Sequence, residues 1–452
     1  MVKYTLWLIP FMLLIAPFSF QTADASDKDS DKGPDVQKEM HHLWNELHEG
    51  FDFSLRILTY GTYQGVADST QNPYNDFLKV PRFLADLDVR PDAFLHFKRL
   101  DLSVKPRMNL EWSVWRDGSS KGDEDWEDDW YINEWLARMR VTDTLFISYG
   151  RENLQWGPSY LFSPSNPFFE DNGRTNPKKE VPGMDFARLV WIPSMTWSVS
   201  LIANMGEGCQ DFRSRKFHKS YAVKIDYTGN EGYIGLIFSN REKDRYRIGG
   251  FGGWTATDAI LLYTDIGFSQ GSAAFYPVED EISPFGASMQ ALDEESSDWK
   301  GTVLIGGSYT LLSGPTLILE YLYNDAGYTD KQAKIYYQLR QDARNAYDDK
   351  SPLAGLSRMI LGRTVDPGMR FLGKNYLVFQ YRQNDIRDVL NLSLSFIYNI
   401  DDEAGRLISN VEYAIGDHIQ IFSIGCLNAG DADTEFRSIL DSYFILGLEY
   451  TF

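Results

Sequence analysis

Cysteine and histidine are scarce in this chain of 452 residues, which contains two cysteines and six histidines. Cys209 and Cys426 are too few for a disulfide framework, and no C-x-x-C-H haem-attachment motif is present. No histidine lies beside a nucleophile motif, and the sequence has no G-x-S-x-G stretch. These gaps argue against an enzyme, and we expect no catalytic residue, no cofactor and no metal site.

Positive charge is also in short supply, because 44 lysines and arginines stand against 64 aspartates and glutamates. The formal net charge of −20 argues against a nucleic-acid partner, since proteins that bind nucleic acid present a basic surface. An acidic secreted enzyme would share this charge, so the class of protein has to be decided by the strand pattern.

Long apolar runs are confined to the start of the chain, where LWLIPFMLLIAPFSF follows the basic Lys3. The small residues Ala23 and Ala25 come next, and this arrangement predicts a secretory signal peptide over 1–25, cleaved after Ala25. No later stretch of about 18 apolar residues could form a transmembrane helix. We therefore expect an exported protein that is either soluble or a β-barrel.

The sequence is rich in aromatic residues that alternate with polar ones. Aromatics make up 15% of the chain although the mean hydropathy is −0.35. In LDLSVKPRMNLEWSVW, apolar residues occupy one face of a strand and polar residues the other. The apolar positions are Leu100, Leu102, Val104, Met108, Leu110, Trp112 and Val114. One apolar and one fully polar face indicate a strand that separates lipid from water.

About 18 such segments follow one another, which suits a barrel of porin size. The long connectors, at 116–129, 155–182, 205–219, 270–299 and 325–374, all fall on one side when the segments are assigned in chain order. We therefore predict an all-β protein: one antiparallel transmembrane barrel over 51–452, with short periplasmic turns and long extracellular loops. We predict that 26–50 is a short periplasmic N-terminal segment, in which 33–49 has the spacing of a helix.

The closing stretch YFILGLEYTF carries the resemblance to a family. Phe444, Tyr450 and the terminal Phe452 resemble the C-terminal targeting signal of Gram-negative outer-membrane β-barrels of the porin type. The resemblance implies an outer-membrane location, contact with lipopolysaccharide, and delivery by periplasmic chaperones to the barrel-assembly machinery. It leaves a homo-oligomer open. A second stretch, YGRENLQWGPSYLFSPSNPFF with PGMDFARLVWIP, is similar to uncharacterised barrel families and to alginate-export and capsule-assembly barrels.

The connector 155–182 contains aromatic residues that a solvated loop has no reason to hold. They are Trp156, Tyr160, Phe162, Phe168 and Phe169, and the basic residues Arg174, Lys178 and Lys179 follow them. Folding into the lumen would bury the aromatic side chains and narrow the pore, so we expect a pore-constricting loop. A lid that rests on the rim is the alternative.

Charged residues project to the wet side of the strands beside this connector. The predicted basic pore lining consists of Lys105, Arg107, Arg138, Arg140 and Arg188. The predicted acidic pore lining consists of Glu111, Glu134, Glu152 and Asp185. A basic cluster in a narrow lumen selects anions, whereas pairing with these acids would only stiffen the wall, and both interpretations remain open. The other inward residues are of mixed charge and indicate a water-filled lumen.

Together these features predict a porin that lets small hydrophilic, anionic solutes diffuse across the outer membrane. Two alternatives are left open. One is the export or surface binding of an anionic polysaccharide, and the other is a barrel that forms a sheath for a periplasmic electron-transfer partner.

Overall fold

The computed structural model describes residues 34–160, 162–169, 172–210, 217–242, 245–272, 274–291, 298–348 and 351–452. The predicted signal peptide lies outside these residues. Contacts divide the chain into two units, Met1–Glu49 and Gly50–Phe452. In the first unit helix α1 spans Pro34–Glu49, within the segment where helical spacing was found. None of the helices in the described residues is long and apolar enough to cross a membrane.

In the second unit, eighteen strands within the described residues form one sheet. They are β1 Phe51–Val66, β2 Phe83–Phe97, β3 Leu100–Val114, β4 Glu124–Arg140, β5 Leu145–Glu152, β6 Met184–Ser194, β7 Trp197–Gly206, β8 Ser220–Thr228, β9 Gly232–Arg241, β10 Arg245–Thr257, β11 Ile260–Gln270, β14 Trp299–Thr310, β15 Thr316–Asn324, β16 Asn375–Ile386, β17 Leu390–Asn399, β18 Ala404–Ile415, β19 Ile419–Ala429 and β20 Leu440–Thr451. A separate hairpin is formed by β12 Tyr276–Glu279 and β13 Ala287–Gln290.

The sheet closes on itself, because β1 pairs antiparallel with β20 from Arg56 opposite Thr451 to Val66 opposite Leu440. Phe452 extends this pairing, exchanging backbone hydrogen bonds of 3.1 and 2.9 Å with Leu55. Phe444, Tyr450 and Phe452 are all exposed on the barrel. The predicted antiparallel barrel of about 18 strands is confirmed. The role of its last strand as a targeting signal stays a prediction.

Connectors of different length lie at the two ends of the barrel. At one end, here called the turn end, strands are joined only by the short stretches 98–99, 141–144, 195–196, 229–231, 258–259, 311–315, 387–389 and 416–418. All the long connectors lie at the opposite end, here called the loop end, as predicted. In barrels of this type the loop end is extracellular.

The connectors differ from the prediction in detail. Two loops of intermediate length, 67–82 and 430–439, were missed, and two connectors at the loop end, 242–244 and 400–403, are short. The predicted connector 116–129 is also too long, because β4 already begins at Glu124. This part of β4 is rich in acidic residues, which is typical of a loop, so it was not predicted as a strand. Its strand conformation is stabilised by pairing with β3.

The outer face of the barrel is apolar, and residues such as Ile234, Leu236 and Phe238 are exposed along one strand. The inner face is not uniformly polar, which differs from the prediction. From β11 through β20 to the adjoining β1, inward residues join a buried apolar cluster with side chains of the long loops. Its members are Leu58, Tyr160, Tyr263, Leu304, Leu322, Phe371, Tyr376, Val378, Ile397, Ala404, Ile408, Phe422, Ile424, Cys426, Phe436 and Ile445. One half of the interior is therefore packed rather than water-filled.

Two helices of the long connector 325–374 form a cap at the loop end with the β12–β13 hairpin. Helix α2 spans Asp330–Asn345 and helix α3 spans Ala354–Val365. The cap has its own apolar core, which includes Tyr276, Tyr336 and Leu361. Hydrogen bonds tie it to the neighbouring loops, since the fully buried Arg340 donates to the Asp433 carbonyl at 3.0 Å. The cap is thus part of the folded barrel.

Candidate functional site

The connector between β5 and β6, residues 153–183, lies inside the barrel and is here called the inner loop. It contacts widely separated parts of the wall: Tyr160 bonds Glu320 on β15, Ser163 bonds Asp265 on β11, and Lys178 pairs with Glu449 on β20. These contacts cross the lumen. The predicted inward folding is confirmed, and the alternative of a lid resting on the rim is wrong.

The aromatic residues of the inner loop anchor it to the wall. Phe168 and Phe169 pack on the inward Phe186, with ring centroids 5.0 and 6.2 Å apart. Trp156 packs on Phe168 at 5.9 Å. On the opposite wall the Tyr160 hydroxyl accepts a hydrogen bond of 2.9 Å from Ser395, and Phe162 lies 5.2 Å from Phe371. Burying these rings against apolar wall residues stabilises the loop, so the rings fix its position.

Two fully buried carboxylates hold the backbone of the inner loop. Asp265 accepts from the Ser163 hydroxyl at 2.6 Å and from the Ser165 amide at 2.8 Å. Glu320 accepts from the Tyr160 amide at 2.7 Å and from the Tyr263 hydroxyl at 2.8 Å. These bonds satisfy charges that would be costly to bury alone. Alternation could place both residues inside the barrel, but it could not show that they hold the loop.

Wall glycines let the inner loop approach the barrel closely, at Gly249 and, more tightly, at Gly267. A Cβ atom at Gly267 would lie 2.0 Å from the Pro164 carbonyl oxygen. We expect Gly267→Ala to push Ser163 and Ser165 away from Asp265 and to lower the free energy of unfolding by about 1–3 kcal/mol. Urea titration of the barrel in detergent micelles would measure this loss. Gly61→Ala is the control, because its Cβ would make an ordinary 3.9 Å contact. Equal stability of the two variants would contradict the expectation.

Glu180, near the end of the inner loop, is bound by three arginines of the wall. Arg107, which is 2% exposed, donates to it at 2.5 and 3.0 Å. Arg56 lies 3.2 Å away and Arg90 lies 3.9 Å away. Burial would raise the pKa of Glu180, but the hydrogen bonds and positive charge of Arg107 and the other arginines outweigh burial and hold the pKa below its ordinary value. Glu180 is therefore a charged latch between loop and wall.

The charged inward residues that complete this latch were missed by sequence reasoning. Strand β2 carries Asp86, Asp88, Arg90 and Asp92 on its buried inward face. Arg90 donates to Asp88 at 2.8 Å and to the Lys178 carbonyl at 2.7 Å, and Arg107 donates to Asp92 at 2.9 Å. The signal is present in LADLDVRPD, where charged residues alternate with apolar ones.

Most of the predicted basic lining is neutralised by acids of the wall or the loop. Lys105 pairs with Glu134 at 3.2 Å, Arg138 with Asp101 at 2.8 Å and Arg188 with Glu152 at 2.7 Å. Arg107 pairs with Glu180 and Asp92, while Arg140 is exposed at the turn end of β4. The wall-stiffening interpretation therefore describes Lys105, Arg107, Arg138 and Arg188.

Three residues of the predicted acidic lining lie on inward positions of their strands, and one does not. Glu134 and Glu152 form the wall pairs above, and Glu111 lies opposite Asp86 and accepts from Ser113 at 2.8 Å. The prediction fails at Asp185, which alternates with the inward Phe186 and Arg188 and so faces outward. There Asp185 pairs with Arg151 at 2.8 Å. Two residues three positions apart cannot face the same side of a regular strand.

Comparison with known proteins was informative only at the level of structure, since no family model and no curated protein matches the sequence. The outer membrane protein OprD of Pseudomonas aeruginosa superposes with a TM-score of 0.54 at 10% identity, covering 89% of this chain and 94% of OprD. OccAB1 of Acinetobacter baumannii superposes with a TM-score of 0.51 at 13% identity, covering 89% of this chain and 96% of OccAB1. A structure of P. aeruginosa OpdK with vanillate superposes with a TM-score of 0.51 at 10% identity, covering 89% of this chain and 99% of OpdK. The chain has the fold of the outer-membrane porins.

Within this porin fold, two basic residues of the inner loop remain exposed. Arg174 is held at 3.1 Å by the Pro158 carbonyl and at 2.5 Å by the Ser159 carbonyl, and Lys179 lies beside the latch residue Glu180. Lys178 differs from both, because it pairs with Glu412 at 3.0 Å and Glu449 at 2.8 Å. Of the three basic loop residues that the sequence predicted, Arg174 and Lys179 are thus accessible to a solute.

A basic cavity of about 190 Å³ lies near the loop end of the porin fold. Its charged lining consists of Arg241, Arg245, Arg247 and Lys300, on β9, β10 and β14. Ser220, Ser239 and Ser269 add hydroxyl groups, and Pro167 of the inner loop closes one side. Sequence reasoning placed Arg247 inside the barrel but did not find this group, which the closure of neighbouring strands brings together.

Proposed function

We propose that this protein is an outer-membrane channel for small hydrophilic solutes and that it prefers anions. The observation that carries the preference is the concentration of basic residues on one part of the inner surface, where Arg241, Arg245, Arg247 and Lys300 line the basic cavity. Like charges in a narrow, partly apolar lumen focus the field and raise the local concentration of oppositely charged solutes. The channel function itself is supported by the porin fold.

Further support comes from the inner loop and from one structural neighbour. Arg174 and Lys179 are exposed inside the porin fold, so an anion leaving the basic cavity would meet further positive charge. OpdK, which shares the fold, has been solved with vanillate, a small carboxylate. The residues first predicted to select anions are mostly paired, and we assign the preference to the basic cavity together with the exposed Arg174 and Lys179.

Planar-bilayer recordings test this proposal. In a potassium chloride gradient the reversal potential should show anion preference. Changing Arg241, Arg245 and Lys300 together to glutamine should lower the anion-to-cation permeability ratio severalfold, because the focusing field weakens. Arg138→Gln/Arg140→Gln is the control, since these residues lie at the turn end and Arg138 is already paired with Asp101. A reversal potential that shifts only in the control would return the preference to the original basic lining.

A closed binding barrel is the second candidate, because the inner loop touches several sectors of the wall and one half of the interior is packed. The same recordings distinguish the candidates. Purified protein that inserts into the bilayer without conducting would reject the channel and favour the binding barrel.

A further inference from the structure

Strand β4 is longer than the neighbour that should cover it. It pairs with β3 along its whole length, from Glu124 opposite Val114 to Met139 opposite Leu100. It pairs with β5 only from Trp135 to Arg140, because β5 ends at Glu152 and the chain then enters the barrel. Within the residues that the structure describes, the part of β4 from Glu124 to Tyr131 therefore has a free edge, here called the β4 edge.

Nothing in the described part of the chain covers the β4 edge. Beyond it, the Ile132 carbonyl is the first backbone group with other partners, accepting from Arg151 at 3.1 Å and from the Cys209 thiol at 3.3 Å. From Glu124 to Trp130 every residue is exposed, and Trp126 and Trp130 are 71% and 55% exposed. An exposed strand edge offers unpaired N–H and C=O groups as a template for another strand.

The side chains of the β4 edge restrict what can pair with it. Its sequence, EDWEDDWY, contains the acids Glu124, Asp125, Glu127, Asp128 and Asp129. A second copy of this edge would bring like charges face to face, and such pairs are destabilising. A strand rich in lysine or arginine would place opposite charges across the pair. The two exposed tryptophans provide apolar surface for residues that alternate with those cations.

We propose that the β4 edge binds an extended basic segment of another protein, which adds to the barrel as a further strand. Backbone hydrogen bonds to the edge would provide affinity, and the carboxylates would select a basic sequence. The edge lies at the loop end, which is extracellular in the porin fold, so the partner approaches from outside the cell. This inference depends on the fold and is independent of the solute.

A pair of synthetic peptides tests whether the backbone pairs. The probe is an eight-residue peptide that alternates lysine with valine, and its match has the same side chains with every second amide N-methylated. Fluorescence anisotropy with the full-length protein in detergent should show saturable binding of the probe. The methylated peptide should bind at least about tenfold more weakly, because it cannot complete a strand ladder. Equal binding of both peptides, or no saturable binding of the probe, would overturn the proposal.

A charge-reversal pair tests the location. Asp125→Lys/Glu127→Lys/Asp129→Lys should weaken binding of the probe at least about tenfold, since these residues lie on the edge itself. Glu279→Lys/Asp280→Lys/Glu281→Lys changes the net charge equally at the β12–β13 hairpin and should leave binding nearly unchanged. Equal losses in both variants would show that the peptide responds to overall charge and would reject the β4 edge. Protein dimers that the probe dissociates would also reject the proposal, in favour of a second copy.

Discussion

Glu180→Gln is expected to release the inner loop from the wall and to raise the single-channel conductance severalfold. Arg107, which Glu180 binds at 2.5 Å, is 2% exposed. Without Glu180 the three arginines of the latch keep only Asp88 and Asp92 as partners, so one positive charge would lack a carboxylate. Breaking a buried ion pair typically costs about 3–5 kcal/mol. The inner loop should then detach from the wall so that water can reach Arg56, Arg90 and Arg107. Planar-bilayer recordings and urea titration would detect the larger conductance and the lower stability.

The adjacent residue provides the control for this experiment. Lys179→Gln alters an exposed side chain of the same loop and should leave both stability and channel size nearly unchanged. Glu180→Asp keeps the charge and should restore part of the stability. If Glu180→Gln and Lys179→Gln had the same conductance and the same free energy of unfolding, the ion pairs of Glu180 would not hold the inner loop against the wall.

The ion pairs of Glu180 also predict how the conductance of the channel depends on pH. Because the pKa of Glu180 lies below its ordinary value of 4.5 in the folded protein, its stabilising contribution is complete above that pH. The contribution is lost as the pH falls through the lowered pKa. Wild-type conductance is therefore expected to change only in strong acid, and Glu180→Gln should lose this dependence.

The cap at the loop end is expected to loosen as the pH rises from about 4.5 to about 7. Glu435, in the loop 430–439, accepts from the Tyr376 hydroxyl at 2.6 Å, from the Asn399 amide at 2.6 Å and from the backbone amide of Leu372 at 3.0 Å. Burial raises the pKa of Glu435 to about 7, although the hydrogen bonds oppose the shift. The docked cap therefore holds a proton that an undocked cap would release.

The groups around Glu435 all belong to the cap or its supports. Tyr336, Tyr376 and Asp402 act on Glu435 itself, and Asp401, Tyr337 and Arg340 act on Asp402. The amide of Glu435 donates to Asp402 at 2.6 Å, and burial raises the pKa of Asp402 as well. Because burial favours the protonated form of both Glu435 and Asp402 in the docked cap, a rise in pH weakens docking through each of them. Docking should be strongest below the ordinary carboxylate range and weakest above about pH 7.

Limited proteolysis of helices α2 and α3 between about pH 5 and about pH 8 would measure this effect. Cleavage should accelerate with pH in the wild type and become independent of pH in Glu435→Gln, which is neutral throughout. Glu279→Gln is the control, because its exposed pair with Lys331 contributes little. A wild-type cap that is cleaved at the same rate across the range would contradict the prediction.

The barrel could be predicted from the sequence because alternation is a property of neighbouring residues. In 100–114 the position of a residue along the strand determines which face of the sheet its side chain lies on. The same alternation places aromatic residues on the outer face of the closing strand. The start of β4 was missed because acidic residues dominate it, whereas the inward charges of β2 were overlooked although they alternate with apolar residues. Asp185 was placed on the wrong face because its charge was given more weight than its position relative to Arg188.

Sequence alone thus determined the export signal as an expectation, the strand period, the approximate strand number and the presence of an aromatic connector. The tertiary structure alone decided which side chains meet inside the barrel. Glu180 reaches Arg56, Lys178 reaches Glu449, and four basic residues gather around one cavity, because closing the sheet brings together segments that are far apart in the chain. Alternation assigns a residue to the inner face, but only closure of the barrel determines which residue lies across from it.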